Sequence, residues 1–301
     1  MRRNIRSERD LYNWLFEQEE AGGDKGAAAA PDPLTAEKIQ KLWQMPYTQF
    51  VEELKKVATD PKLHAFLAVG KKDGDPTDES VKVAPMTIAG SQLSPTQSEI
   101  DLSNSVAFSF KNPALIAKFY GGGAWKGGDP IITAGGKWVI DGHHRWSQAY
   151  LANPKVKVPV YDMTASITPQ QALKATHIAI AADLGKLPLS PAKGINLYAA
   201  KELDIQRAVK INLTEQARKL YEEHGHGKTS EEISAYLWKN VQLMQTKNKP
   251  ISGAPPRTSM PQTGDSQDYD TLLTKGIINF KNPKKDDVKT ESRIKLKGLI
   301  R

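Results

Sequence analysis

The sequence predicts an α/β fold, with a mixed α and β core flanked by helical N- and C-terminal regions and followed by an extended basic tail. Three observations lead there. Ile131-Ile132-Thr133 and Trp138-Val139-Ile140 are β-branched and aromatic runs joined by Ala134-Gly135-Gly136-Lys137, the signature of a hairpin with a Gly-bearing turn. Apolar residues recur at helical spacing both before and after this core. From residue 249 onward Pro, Gly, Ser and Thr dominate, and Lys and Arg crowd the final stretch.

Taken in order, residues 8–20 read as a short amphipathic helix with Leu11, Tyr12, Leu15 and Phe16 on one side. Gly22-Gly23-Asp24-Lys25-Gly26 and four alanines form a linker. A second helical pattern opens at Thr35 and Lys38, breaks at Pro46 and resumes to Ala58, with Leu42, Trp43, Phe50, Val51 and Leu54 as its apolar side. Residues 1–70 are thus expected to be a helical region, ended by a Gly-, Asp- and Pro-rich boundary at 71–79. The core spans 78–165. It starts with extended runs at Val81-Lys82-Val83 and Met86-Thr87-Ile88, continues with short helices at 103–110 and 114–120, and passes through the hairpin to a strand at 156–161. Residues 121–128, rich in glycine, read as a solvent loop or a flap. Residues 166–248 return to helical patterns, including 170–184 and 231–243. His224-Gly225-His226-Gly227-Lys228 reads there as a helix C-cap turn in preference to a metal site. Residues 249–301 complete the chain as extended linker and basic tail.

Charge is unevenly spread. Residues 275–301 carry nine Lys/Arg against three Asp/Glu, and residues 1–9 carry four Arg against one Glu, leaving the body between them near −1 of the total +8. Basic ends on a near-neutral body point to tails that meet DNA, another polyanion or an acidic protein assembly, or that are simply solvated; Lys284, Lys285, Arg293, Lys295 and Lys297 are the candidate contacts. Zero cysteines exclude disulfides, thiolate zinc sites and thiol catalysis, and fit a cytoplasmic setting. No apolar run reaches the roughly 18 residues of a membrane-spanning helix, so no membrane partner is expected. The basic N-terminus lacks the apolar stretch of a signal peptide.

The chemistry concentrates at Trp138-Val139-Ile140-Asp141-Gly142-His143-His144-Arg145-Trp146. After Gly142 the pattern turns helical, with Trp146, Ala149 and Tyr150 on one face and Asn153-Pro154 as the stop. His143, His144 and Arg145 therefore fall in a first helical turn, where free N–H groups and the helix dipole favour an anion. Gly142 allows close backbone approach, Arg145 can fork two oxygens and His144 can donate a further hydrogen bond. Asp141 can orient a histidine, hold Mg²⁺ or accept a proton. Asp141, His143 and His144 are the catalytic candidates, and Gln97, Gly142, His144 and Arg145 the phosphate-binding ones. No residue set is assigned to a resident metal.

Residues 81–163 resemble the ParB/sulfiredoxin superfamily through two motifs in the same order. Leu93-Ser94-Pro95-Thr96-Gln97 is similar to the L-x-P-x-[Q/E] segment that follows the family's first strand. Ile140-Asp141-Gly142-His143-His144-Arg145-Trp146 is similar to the G-E-R-R-W box of ParB, the G-C-H-R box of sulfiredoxin and the D-G-H-H-R form of ParB-like free-serine kinases. The resemblance implies a small mixed sheet core and a box that binds nucleotide phosphates at a helix start, with Mg²⁺ and ATP or CTP. It departs from the families in three places. His143 stands where sulfiredoxin has its catalytic cysteine, which excludes sulfinic-acid reduction. ParB's paired arginines are His144 and Arg145 here, with no helix-turn-helix following. Gln97 replaces the glutamate of the kinase-like members, so a substrate hydroxyl lacks that base.

Two functional classes follow. One is a ParB-like nucleotide-binding protein acting as a Mg²⁺-dependent phosphohydrolase, nuclease or phosphotransferase. The other is a bacteriophage or virion structural or DNA-associated interaction protein that keeps the fold without the chemistry and is held by its tails; its location would then be the virion.

Overall fold

The computed structural model describes residues 41–61 (except 43), 83–121, 131–163, 168–187, 189 and 194–260. The expected helix at 8–20, most of the 121–128 loop and the five tail cations Lys284, Lys285, Arg293, Lys295 and Lys297 lie outside them.

Among the described residues five strands form one mixed sheet: β1 Val83–Ala89, β2 Ser94–Pro95, β3 Ile131–Ala134, β4 Trp138–Asp141 and β5 Lys157–Met163. Their order is β1-β5-β3-β4-β2. β1 runs antiparallel to β5, β5 parallel to β3, β3 antiparallel to β4, and β4 parallel to β2. From Val83 onward the chain expected as two runs is one continuous strand, residues 81 and 82 lying outside the described ones, and its Pro85 is tolerated because β1 lies at the sheet edge. The hairpin turn carries positive φ at both Gly135 and Gly136, as its sequence required.

Side chains alternate across the sheet and create two separate cores. Ile132, Ala134, Ile140 and Met163 point toward helices α1 (Tyr47–Thr59) and α5 (Pro169–Leu184). Ile88, Ile131, Val139, Val158 and Val160 point the other way, toward α2 (Leu102–Lys111), α3 (Pro113–Tyr120) and α4 (His143–Ala152). Behind these pack α6 (Glu202–Asn212), α7 (Glu215–Glu223) and α8 (Ser230–Lys247). The result is a sheet covered on both faces, a mixed α/β architecture with eight α-helices among the described residues. None of these helices is long and apolar enough to cross a membrane.

Local sequence explains the helix ends. Thr168 and Gln171 form a capping box with Pro169 in the first turn of α5, and Gly185 closes it in the left-handed conformation. Thr229 and Glu232 do the same at the start of α8. The 224–228 segment is the C-cap turn that its glycines predict, with Gly225 at φ 74. At the far end of α8, Asn248 accepts from Tyr150 Oη at 2.8 Å and donates to the carbonyls of Ser91 (2.8 Å) and Leu93 (2.6 Å). One side chain thus ties the helical region to α4 and to the first motif.

Residues 249–260, expected as the start of a linker, are pinned onto the core as a strap. Ile251 N donates to Pro95 O at 3.2 Å, Ser98 N to Pro255 O at 2.9 Å, and Arg257 N to Glu99 Oε2 at 3.0 Å. Met260 then buries against the α1/α5 core beside Tyr47. The proline- and glycine-rich composition did specify extended backbone, but main-chain hydrogen bonds to residues 95–99 hold it in place.

Candidate functional site

The site grows from the end of β4. Strand pairing shifts between Ile132 and Thr133, which face Asp141 and Val139, so Ile140 is the extra residue of a β-bulge. Gly142 follows at φ 85 and ψ 26, and α4 starts at His143 with no side-chain cap on its N-terminus. A Cβ on Gly142 would lie 3.0 Å from both Ile131 Cγ1 and Arg145 Nη2. Glycine is required twice over, by the left-handed turn and by the Arg145 side chain that folds back across it. Arg145 Nη2 reaches Asp141 Oδ2 at 3.0 Å, so the aspartate holds the arginine over the turn.

The first motif arrives alongside. Ser94 pairs with Trp138 and Pro95 with Val139 in parallel register. Thr96 is fully buried and its hydroxyl donates to Val139 O at 2.6 Å, while its backbone N–H points to His143 Nε2 at 3.3 Å. His143 is only 5% exposed, and its neutral ring accepts at Nε2. Burial, together with Arg257 and Arg145, lowers its pKa to about 3. With Nε2 meeting the Thr96 amide and hydroxyl, both at 3.3 Å, His143 joins the two motifs. Gln97 is 2% exposed and its amide donates to Glu99 O within its own loop.

His144 is held differently. Asp101 N donates to its Nε2 at 3.3 Å, and Arg257 Nη1 stands 3.4 Å from Nδ1 and 3.3 Å from Nε2, facing the ring between the two nitrogens. Burial first, then Arg257 and His143, lower the His144 pKa to about 3, against a raising contribution from Asp141. Asp101 caps α2 by accepting from Asn104 N at 2.6 Å, and its Oδ2 occupies the space a Gly194 Cβ would need. The corner therefore gathers Asp141, Gly142, His144 and Arg145 from the second motif, Thr96 from the first, and Arg257 from the strap. Among the described residues no group of three or more His, Asp or Glu is arranged to hold a metal ion.

Thr96 was legible as part of the first motif, although the chemistry expected of that motif was assigned to Gln97. Arg257 had no local signal, because its neighbours Pro255 and Pro256 mark extended chain and nothing more. Comparison with known proteins finds no counterpart: no family model, curated protein or solved structure matches this chain.

Proposed function

We propose that the corner formed by residues 141–145 and 93–97 binds a phosphate-bearing ligand, in the manner the ParB/sulfiredoxin resemblance implies, with a nucleotide such as ATP or CTP as the ligand class. The observation that carries this reading is that the two motifs, far apart in sequence, are neighbours in space, β2 pairing with β4 and Thr96 hydrogen-bonding His143. An uncapped helix start behind a left-handed glycine, with Arg145 beside it, supplies the donors an anion needs. Mg²⁺ would enter with the nucleotide phosphates, and Asp141 would be a carboxylate to serve it.

Binding without turnover is the form the geometry supports best. The Gln97 amide donates to Glu99 O and cannot act as a base, while His143 is engaged by Thr96. Asp141, as the base of a phosphohydrolase, nuclease or phosphotransferase, would act while also holding Arg145. The same two observations favour the second reading, an interaction protein with a non-catalytic core.

The test is calorimetric titration of the full chain with ATP, ADP, CTP and GTP in Mg²⁺, with phosphate release assayed on the same samples. The expected result is binding that the double variant His144→Ala, Arg145→Ala weakens by at least the ~1.5–3 kcal/mol of a charge-assisted hydrogen bond, with no phosphate released. Absence of binding to all four nucleotides removes the reading; phosphate release replaces it with an enzyme.

A further inference from the structure

We infer that Arg257, carried by the strap, is the guanidinium that meets the anionic ligand, ahead of Arg145; the inference rests on the phosphate reading above. The two arginines flank the same histidine pair but differ in what occupies them. Arg145 is committed to Asp141 at 3.0 Å and lies across Gly142. Arg257 forms no salt bridge among the described residues.

The carboxylates that face Arg257 are engaged elsewhere. Glu99 accepts the backbone N–H of Arg257 and not its guanidinium, and Asp101 caps Asn104 while pressing against Gly194. What its Nη1 does face is the edge of His144, a neutral ring. Asp101 and Glu99 act on this half-buried guanidinium through charge alone, and none of its nitrogens is buried without a partner, so the donors that do not meet His144 stay accessible to an anion. A phosphate group offers two oxygens that match the planar fork of a guanidinium better than they match an ammonium. His144 then acts as a positioning residue, its one acceptor nitrogen, Nε2, shared between Asp101 N and Arg257 Nη1.

The strap's attachment makes this placement reproducible. Pro255 O receives both the amide and the hydroxyl of Ser98, at 2.9 and 3.1 Å, two residues before the arginine. The Arg257 amide is fixed to Glu99 and the 3-10 turn Arg257–Ser259 follows at once. Backbone anchors on both sides of the side chain therefore set where the guanidinium stands.

The experiment titrates the full-length protein and three variants, Arg257→Ala, Arg257→Lys and Arg145→Ala, with inorganic pyrophosphate, Mg²⁺-ATP and Mg²⁺-CTP. Arg257→Ala is expected to weaken the bound probe roughly 10- to 100-fold, more than Arg145→Ala does, and Arg257→Lys to restore part of the loss. A parallel hydrogen-exchange measurement follows residues 249–260, whose amides should exchange more slowly once the probe is bound. If the wild type binds and Arg257→Ala binds equally well, the inference is wrong and the phosphate reading stands. If the wild type binds none of the probes, both are wrong. Should Arg257→Ala fail to fold, unchanged strap exchange in the wild type with probe bound overturns the inference on its own.

Discussion

Gly142-His143-His144 and His224-Gly225-His226 look alike in sequence, yet the chain enters a helix at the first and leaves one at the second. At the first, the imidazoles meet backbone N–H groups, from Thr96 and Asp101, and both rings are held neutral. At the second, they lie on tyrosines: His224 stacks on Tyr120 at 4.2 Å between centroids, and His226 on Tyr236 at 4.0 Å. The first pair closes a junction between two motifs, whereas the second covers an aromatic surface beside a C-cap. The difference teaches that glycine next to histidine carries little meaning until the direction of the helix is known. A strand running into a helix gathers donors, and a helix running into a turn does not.

Acid should separate the pairs most strongly. His143 and His144, with folded values near 3 against an ordinary 6.5, stay neutral in the fold while the unfolded chain takes up protons. Stability is therefore full above pH 6.5 and falls as the pH drops toward 3, each ring contributing about 1.4 kcal/mol per pH unit in that window. Urea midpoints from pH 7.5 to 4.5 measure it, and His144→Asn should flatten the slope more than His226→Phe, the His226 pKa being lowered too, by burial and by His224. A profile that His144→Asn does not alter would contradict the assignment.

Next in size is Gly142→Ala, expected to cost about 2–4 kcal/mol, because the left-handed backbone penalty adds to crowding against Ile131 and Arg145. Thr96→Val should lose about 1–2 kcal/mol with the hydroxyl bond to Val139. Gly225→Ala, at a similar φ but with open space where its Cβ would go, should cost only about 1 kcal/mol. Equal midpoints for the two glycine variants would erase the contrast. His226→Phe, which keeps a ring between Tyr120 and Tyr236, should stay within about 0.5 kcal/mol in the same denaturation series.

Much of the fold could be read from local pattern. The hairpin showed itself through its two glycines, α4 through the apolar spacing of Trp146, Ala149 and Tyr150, and the C-cap at 224–228 through its own glycines. Within the candidate site, Asp141, Gly142 and Arg145 were legible because a strand, a left-handed turn and a helix follow each other without a break. Their partners were not. That Gln97 turns onto Glu99, that His143 is claimed by Thr96, and that Asp101 meets His144 are consequences of β2 docking on β4 and of α2 lying against α4. Long-range docking of this kind leaves no periodicity in the sequence. Residues 249–260 are the extreme case, since their composition fixes an extended shape and says nothing about the carbonyls and amides that receive them.

The strap also sets a clock. Arg257 lies 113 residues after His144, so at ~5–20 residues per second a ribosome delivers it roughly 6–23 s later. A nascent chain can assemble the sheet, seat Thr96 on His143 and close Arg145 over Gly142 before its second guanidinium exists. During that interval the corner carries one arginine, already paired with Asp141. Its full charge arrives only when α8 has emerged and the strap has crossed back over the first motif.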